Sequence, residues 1–323
     1  MQITWKRGAL VALIVLFIGY LVSVWWSVEP DQLKPQQLES SAGKQVVGYA
    51  TTSSLILTIE TLLDKNGGWL SNDIMPPSLL MDNMPAFEFG AIEQARDLAL
   101  IMRKEFSRSQ SQSTADKDLL AAHSKLNIEH TSWLVPSAES EYRDAIKLLK
   151  VYRAKIADSN NPDAQFYARA DNLNEWLKEV QKRLGSMSQR LSASVGQERL
   201  NTDLAGETEA SQSTPGLRST EIKTGWWQID DVFYETRGAT WALLNFMKAI
   251  EVDFADVLKK KNAEVSLQQI IRELEETQQA VWSPMILNGS GFGIVANHSL
   301  VMANYISRAN AAVIDLTNLL TQG

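Results

Sequence analysis

His123 and His130 are the residues best suited by type to ligand chemistry. They fall seven residues apart in a stretch that also carries Leu119, Leu126 and Trp133. On a helix that interval is two turns, roughly 10 Å. One metal ion ligated at about 2 Å by each histidine cannot bridge it. Because the same stripe is apolar, the pair reads as core histidines with polar partners. A pH-responsive role is the sharper alternative. His298 stands outside any H-E-x-x-H context.

The carboxylates give no better site. Asp230-Asp231 and Glu275-Glu276 are adjacent pairs. Neighbours on a helix point about 100° apart, so each pair reads as a solvated face. The glycines from Gly289 to Gly293 lack the following Lys-Ser/Thr of a phosphate loop. No G-x-S-x-G elbow occurs. There is no cysteine, which removes disulfides, thiolate metal sites and a cysteine nucleophile. The expectation is a protein that is not an enzyme and uses no cofactor or metal. Trp69 and the Trp226-Trp227 pair follow glycines at element boundaries. Tryptophan there serves core packing or a recognition groove. With His123 and His130 these tryptophans are the candidate partner or ligand contacts.

The elements that must position these residues begin with an anchor. Lys6 and Arg7 precede an uncharged run over 8–28, and Trp25 and Trp26 sit near its far end. Roughly 20 apolar helical residues cross a hydrocarbon core. The tryptophans suit an interfacial belt, and the basic residues before the run place residues 1–7 in the cytoplasm. Bulky tryptophans at the end of the run disfavour cleavage as a signal peptide. The expected location is a bacterial inner membrane, single-pass, with the bulk of the chain periplasmic. A net charge of −7 argues against nucleic acid and against a second contact with anionic lipid.

The remainder reads as all-α: a helical bundle after a tether over 29–46. Helices are predicted over 49–63, 91–106 and through the His123–Trp133 stripe. The proline-rich stretch 69–86 is expected to pack against the domain. Ser137 reads as an N-cap, and Asn161-Pro162 opens the next helix. Apolar residues on both flanking helices recur at alternating intervals of four and three. The reading is an antiparallel coiled-coil hairpin over 137–191, with two flat bundle helices as the equal alternative. Residues 195–224 turn small and polar and read as a flexible linker. Further helices are predicted over 229–258, from a Ser266/Gln269 capping box to Val281, and as a buried central helix over 298–320.

Two stretches repeat in order. Gly67-Gly-Trp69, Glu88-Phe-Gly-Ala91 and a helix ending at Trp133 match Gly225-Trp-Trp227, Glu235 to Gly238-Ala239 and a helix ending at Trp282. This suggests two related helical halves, over 47–194 and 225–323, with the hairpin closing the first.

The anchor, Gly67-Gly-Trp69, Met75-Pro-Pro77, Met84-Pro85 and Gly225-Trp-Trp227 together give a layout that resembles a family of uncharacterised single-pass inner-membrane proteins of proteobacteria. The resemblance implies a Gram-negative envelope and carries no catalytic residues. The functional expectation is an envelope scaffold or interaction protein with a protein partner or self-association. The alternative is a ligand-binding or sensing module with a pocket between helices.

Overall fold

Two glycines set the centre of the molecule. A Cβ on Gly90 would lie 1.8 Å from the carbonyl oxygen of Glu235, and one on Gly238 would lie 1.9 Å from that of Phe87. Only glycine permits this approach, which brings α3 (Asn83–Ile101) and α7 (Ile229–Asp253) backbone to backbone. Sixteen residues beyond each glycine stand Phe106 and Phe254, whose rings are 5.3 Å apart. The two helices therefore run parallel, with both N-termini at one end. The computed structural model describes residues 2–38, 46–108, 115–158, 164–200, 219–283 and 285–322.

The packing around this pair repeats. Before α3 comes α2 (Tyr49–Asp64), and after it come α4 (Lys117–Leu126) and α5 (Ala138–Ala157); α5 packs on both α2 and α4. Before α7 comes α6 (Ala170–Ser192), and after it come the short α8 (Ala255–Lys260), α9 (Glu264–Glu276) and α10 (His298–Thr321); α10 packs on both α6 and α9. The two sets of contacts follow one order: a preceding helix, a central helix, a returning helix and a closing helix, with α6 packed on α10. Buried Phe87, Tyr142, Tyr152, Trp176, Trp241 and Phe246 fill the space between the helices.

The coiled-coil hairpin over 137–191 is not the pairing found. Both heptad seams are buried, but each faces a different partner: α5 lies on α2 and α4, and α6 lies on α10. The connection explains why. Residues 164–169 form neither helix nor strand, with Tyr167 N donating to Phe106 O at 2.7 Å and Tyr152 Oη donating to Gln165 O at 2.7 Å. Phe166 wedges its ring against Phe106 and Phe254. This stretch of chain carries α6 away from α5. The predicted Asn161-Pro162 start lies outside the described residues.

Other expectations shift at element ends. α3 begins at Asn83 with Asp82 as cap, because Pro85 falls in the first turn, where its missing N–H costs nothing. The helix carrying His123 stops at Leu126, since Arg96 takes the carbonyls of Leu126 and Ile128 at 2.7 and 2.6 Å. His130 and Trp133 therefore leave the predicted stripe. α9 begins at Glu264, which puts Ser266 inside the helix and not at its cap. α10 is an outer helix with one buried face, not a central one. Within the predicted linker, β1 (Gln197–Leu200) and β2 (Ser219–Ile222) form an antiparallel ribbon. Residues 201–218 of that linker lie outside the described residues.

At the N-terminus, α1 (Gln2–Trp26) is one helix long and apolar enough to cross a membrane; over Trp5–Trp26 its mean hydropathy is 2.4 and none of it is buried. The predicted tether is docked from its first residues. Leu33 N donates to Asn245 Oδ1 at 3.1 Å, and Trp241 Nε1 donates to the carbonyl of Asp31 at 3.3 Å. Leu33 and Leu38 are buried against Ala50 and Ala249.

A candidate interaction surface at the end where α1 joins

The parallel α3 and α7 bring four loops to one end of the bundle: 65–82, 127–137, the segment before α7, and 277–297. α1 meets the body there. A Cβ on Gly67 would lie 2.7 Å from the Trp26 ring, so the indole rests directly on the Gly67-Gly68 turn. Both glycines have positive φ, 82° and 71°. The turn is fixed from below by Glu88, which is fully buried. Its carboxylate accepts from Leu70 N at 2.9 Å and Ser71 N at 2.8 Å, and lies 2.7 Å from Lys65 Nζ. Burial pushes this carboxyl above its usual range, against the pull of Lys65 and the donors around it. Every strong donor is satisfied within the turn, so the ion pair holds shape and has no free valence for chemistry.

A second fixture lies across from it. Arg237 is 5% exposed; its Nε donates to both oxygens of Glu29, and its Nη atoms donate to the carbonyls of Thr277, Gln278 and Gln279. One guanidinium thus joins the residue just past α1 to the loop that follows α9. Its fork of five donors suits this use.

From these fixtures the loops project apolar tips. Leu80 is 81% exposed, Val135 100%, Trp227 81% and Trp282 97%. The stretch 69–86, expected to pack against the domain, does so in part: Trp69, Leu70, Asn72, Ser78 and Met84 are buried, while Ile74, Met75, Leu79 and Leu80 face out.

The candidate contacts divide into separate groups. Trp69 is core: its Nε1 donates to the carbonyl of His130 at 3.0 Å, and its ring meets Tyr142 edge-on at 5.1 Å. Burial, partly opposed by Arg96, pushes the Tyr142 hydroxyl up to about 12. His130 rests 4.5 Å from the Phe89 ring, with Nδ1 2.8 Å from Glu129. His123 sits on α4 beside Asn127, apart from both. Burial lowers the pKa of both histidines. Trp226 and Trp227 stand edge to face at 4.8 Å, exposed, at the foot of α7. Two clefts that share Lys223 and Thr224 open nearby, and Trp226 lines the smaller of them. One, of about 920 Å³, is lined by Arg190, Asp231 and Glu235 among others; the second, of about 590 Å³, is lined by Trp226, Asn288 and Ser290 among others. Burial and the neighbouring Asp82 and Asp230 raise the carboxyl of Asp231. Among the described residues no group of three or more acidic, histidine or cysteine side chains could hold a metal ion.

Sequence reasoning missed Arg237 and the apolar tips. Arg237 sits inside an apolar helix, which nothing in its spacing marks. The tips had a signal: loops 66–82, 127–137 and 277–297 contain no lysine or arginine.

The whole chain, residues 1–323, matches the family described as "Uncharacterized protein conserved in bacteria (DUF2333)", and the chain belongs to that family. No curated protein and no solved structure matches it.

Proposed function

From membership of that bacterial family as the premise, we propose that this protein is an inner-membrane-anchored scaffold or interaction protein of the cell envelope, without catalytic activity. α1 spans the membrane with residues 1–7 in the cytoplasm, since Lys6 and Arg7 precede the apolar run and Glu29 and Asp31 follow it. The helical body is then periplasmic. The observation that carries this reading is the rigid joint between α1 and the body, made by Glu29 with Arg237 and Trp26 on Gly67. A body clamped at its membrane exit presents the surface around that exit in a fixed orientation. The partner contact is the exposed Trp226–Trp227 pair beside its cleft. Tryptophan is enriched among residues that dominate binding energy. The hairpin face first expected for partners is taken up within the molecule.

The clefts also favour a second reading, a periplasmic ligand-binding or sensing module. The larger one brings Arg190, Lys223, Asp231 and Glu235 to a single concavity of ligand size.

The test is photocrosslinking in cells, with a photoreactive residue at position 226 or 227 of the full chain and mass spectrometry of the products. One stoichiometric envelope protein supports the scaffold. No crosslink, together with thermal stabilisation by a small molecule, supports the ligand module. Neither result leaves no role for this surface.

A further inference from the structure

Three loops at the α1 end are built in the same way: a hydrogen-bonded neck and an apolar tip turned to solvent. In the first, Leu79 N donates to Met75 O, Leu80 N to Pro77 O and Met81 N to Ser78 O, and Leu80 is exposed. In the second, Ala138 N donates to Ser132 O and Ser132 Oγ to Pro136 O, closing a neck under Trp133, Leu134 and Val135. In the third, Gly289 N donates to Ala296 O, and Asn297 Nδ2 donates to Asn288 Oδ1 and Gly289 O. That neck holds out Phe292 and Ile294, both fully exposed.

Among the described residues, every exposed tryptophan or phenylalanine lies either in α1 or at this end, at Trp133, Trp226, Trp227, Trp282 and Phe292. Exposed aliphatic side chains elsewhere on the body are scattered singly, such as Leu120, Val151 and Val301. A patch confined to one end, on loops held in shape, needs a cover. The cover is indicated by continuity, because α1 leaves the body from the same end with Trp25 and Trp26 at its root.

We propose that the body is seated on the bilayer that α1 spans, with the tips at 79–80, 133–135 and 292–294 inserted at the level of the lipid headgroups. This rests on the reading of α1 as a membrane span. Tryptophan and phenylalanine suit that depth. The three loops hold no lysine or arginine and carry Asp73, Asp82 and Glu129, so the contact is apolar and gains nothing from anionic lipid. Such seating fixes the height of the Trp226–Trp227 pair above the membrane and restricts its partners to membrane proteins or segments lying close to the surface.

The chain has no cysteine, so single cysteines can be placed and labelled with an environment-sensitive fluorophore in the full-length protein. The positions are Phe17→Cys in α1, Val135→Cys and Phe292→Cys at the tips, and Lys259→Cys at the opposite end. The protein is reconstituted in phosphatidylcholine vesicles with and without brominated chains. The expected result is blue-shifted emission and loss of emission to bromine at 17, 135 and 292, and neither at 259. Replacing part of the lipid with phosphatidylglycerol leaves this unchanged. Quenching at 17 with 135 and 292 behaving like 259 overturns the seating and leaves the anchor standing; the tips then cover a protein. Quenching at 135 and 292 without 17 supports the seating and removes the anchor. No quenching at any position overturns both.

Discussion

Arg237 and Glu29 meet with the guanidinium Nε 2.7 and 2.8 Å from the two carboxylate oxygens, 208 residues apart in the chain. The pair ties the root of α1 to the middle of α7, and through the other nitrogens of Arg237 to the loop after α9. It converts an expected tether into a joint.

Arg237→Ala should destabilise the protein by about 3–5 kcal/mol, because it leaves Glu29 and three carbonyls without their donor. Glu29→Gln, at a partly exposed site, should cost far less. Urea unfolding of both variants in detergent checks this. A loss under about 1 kcal/mol for Arg237→Ala would mean that water replaces the guanidinium and the joint is loose.

The two crossing glycines should not tolerate alanine. At Gly90 and Gly238 the added Cβ meets backbone carbonyls, which cannot rotate away. Each substitution should cost about 2–3 kcal/mol or more, outweighing the roughly 1 kcal/mol of helix propensity that alanine brings. Gly185→Ala is the control. Its nearest neighbour is Asn310 Nδ2 at 3.9 Å, so alanine there should stabilise by about 0.5–1 kcal/mol. Midpoints of thermal unfolding for the three single variants give the sign directly.

Asp253, on α7, serves as the cap that α2 lacks. Gly48 at the N-cap has no side chain to offer, and Thr51 N and Oγ1 both donate to Asp253 Oδ2 at 2.7 Å. Asp253→Ala should cost about 1–2 kcal/mol. Hydrogen exchange should show the loss concentrated in the first turn of α2; uniform loss across the molecule would count against a capping role.

The tryptophans should separate by role. Trp69→Ala removes a buried ring and should cost about 3–5 kcal/mol. Trp226→Ala and Trp227→Ala should stay within about 0.5 kcal/mol of the parent, because both rings are exposed. Circular dichroism melts distinguish these outcomes, and a large loss at 226 or 227 would mark them as structural.

Stability should fall as pH drops below about 6.5, the unfolded histidine value. Burial lowers the folded pKa of His123, His130 and His298, so the unfolded chain takes up protons first. The stabilisation is complete above the unfolded value and is lost as pH falls toward the lowered folded ones. His298 supplies a direct reason: its Nδ1 accepts from Leu287 N at 3.1 Å, which a protonated ring cannot do. His298→Asn keeps an acceptor and removes the titration, so its melting midpoint should depend less on pH than the parent's between pH 7.5 and 5.5.

The apolar run ahead of Trp25 marks α1 with no help from the rest of the chain, because length and hydropathy are local quantities. Local patterns also placed α2 from Tyr49, the N-cap at Ser137 and the start of α10 at His298 within a residue or two. The repeated Gly-Ala of Gly90-Ala91 and Gly238-Ala239 was visible in the sequence as a repeat, but that the two positions cross at the centre was not. What each helix faces was not local. Heptad spacing on α5 and α6 states that one stripe is buried but not against what, and the non-helical run at Phe166 sent the two stripes to different partners. Nor did helix periodicity separate Trp69, in the core, from Trp226 and Trp227, in solvent, since all three follow a glycine turn. That choice belongs to the tertiary structure: burial is decided by which surfaces arrive opposite a ring. The parallel run of α3 and α7 gathers the loops of both halves, with their apolar tips, around the root of α1.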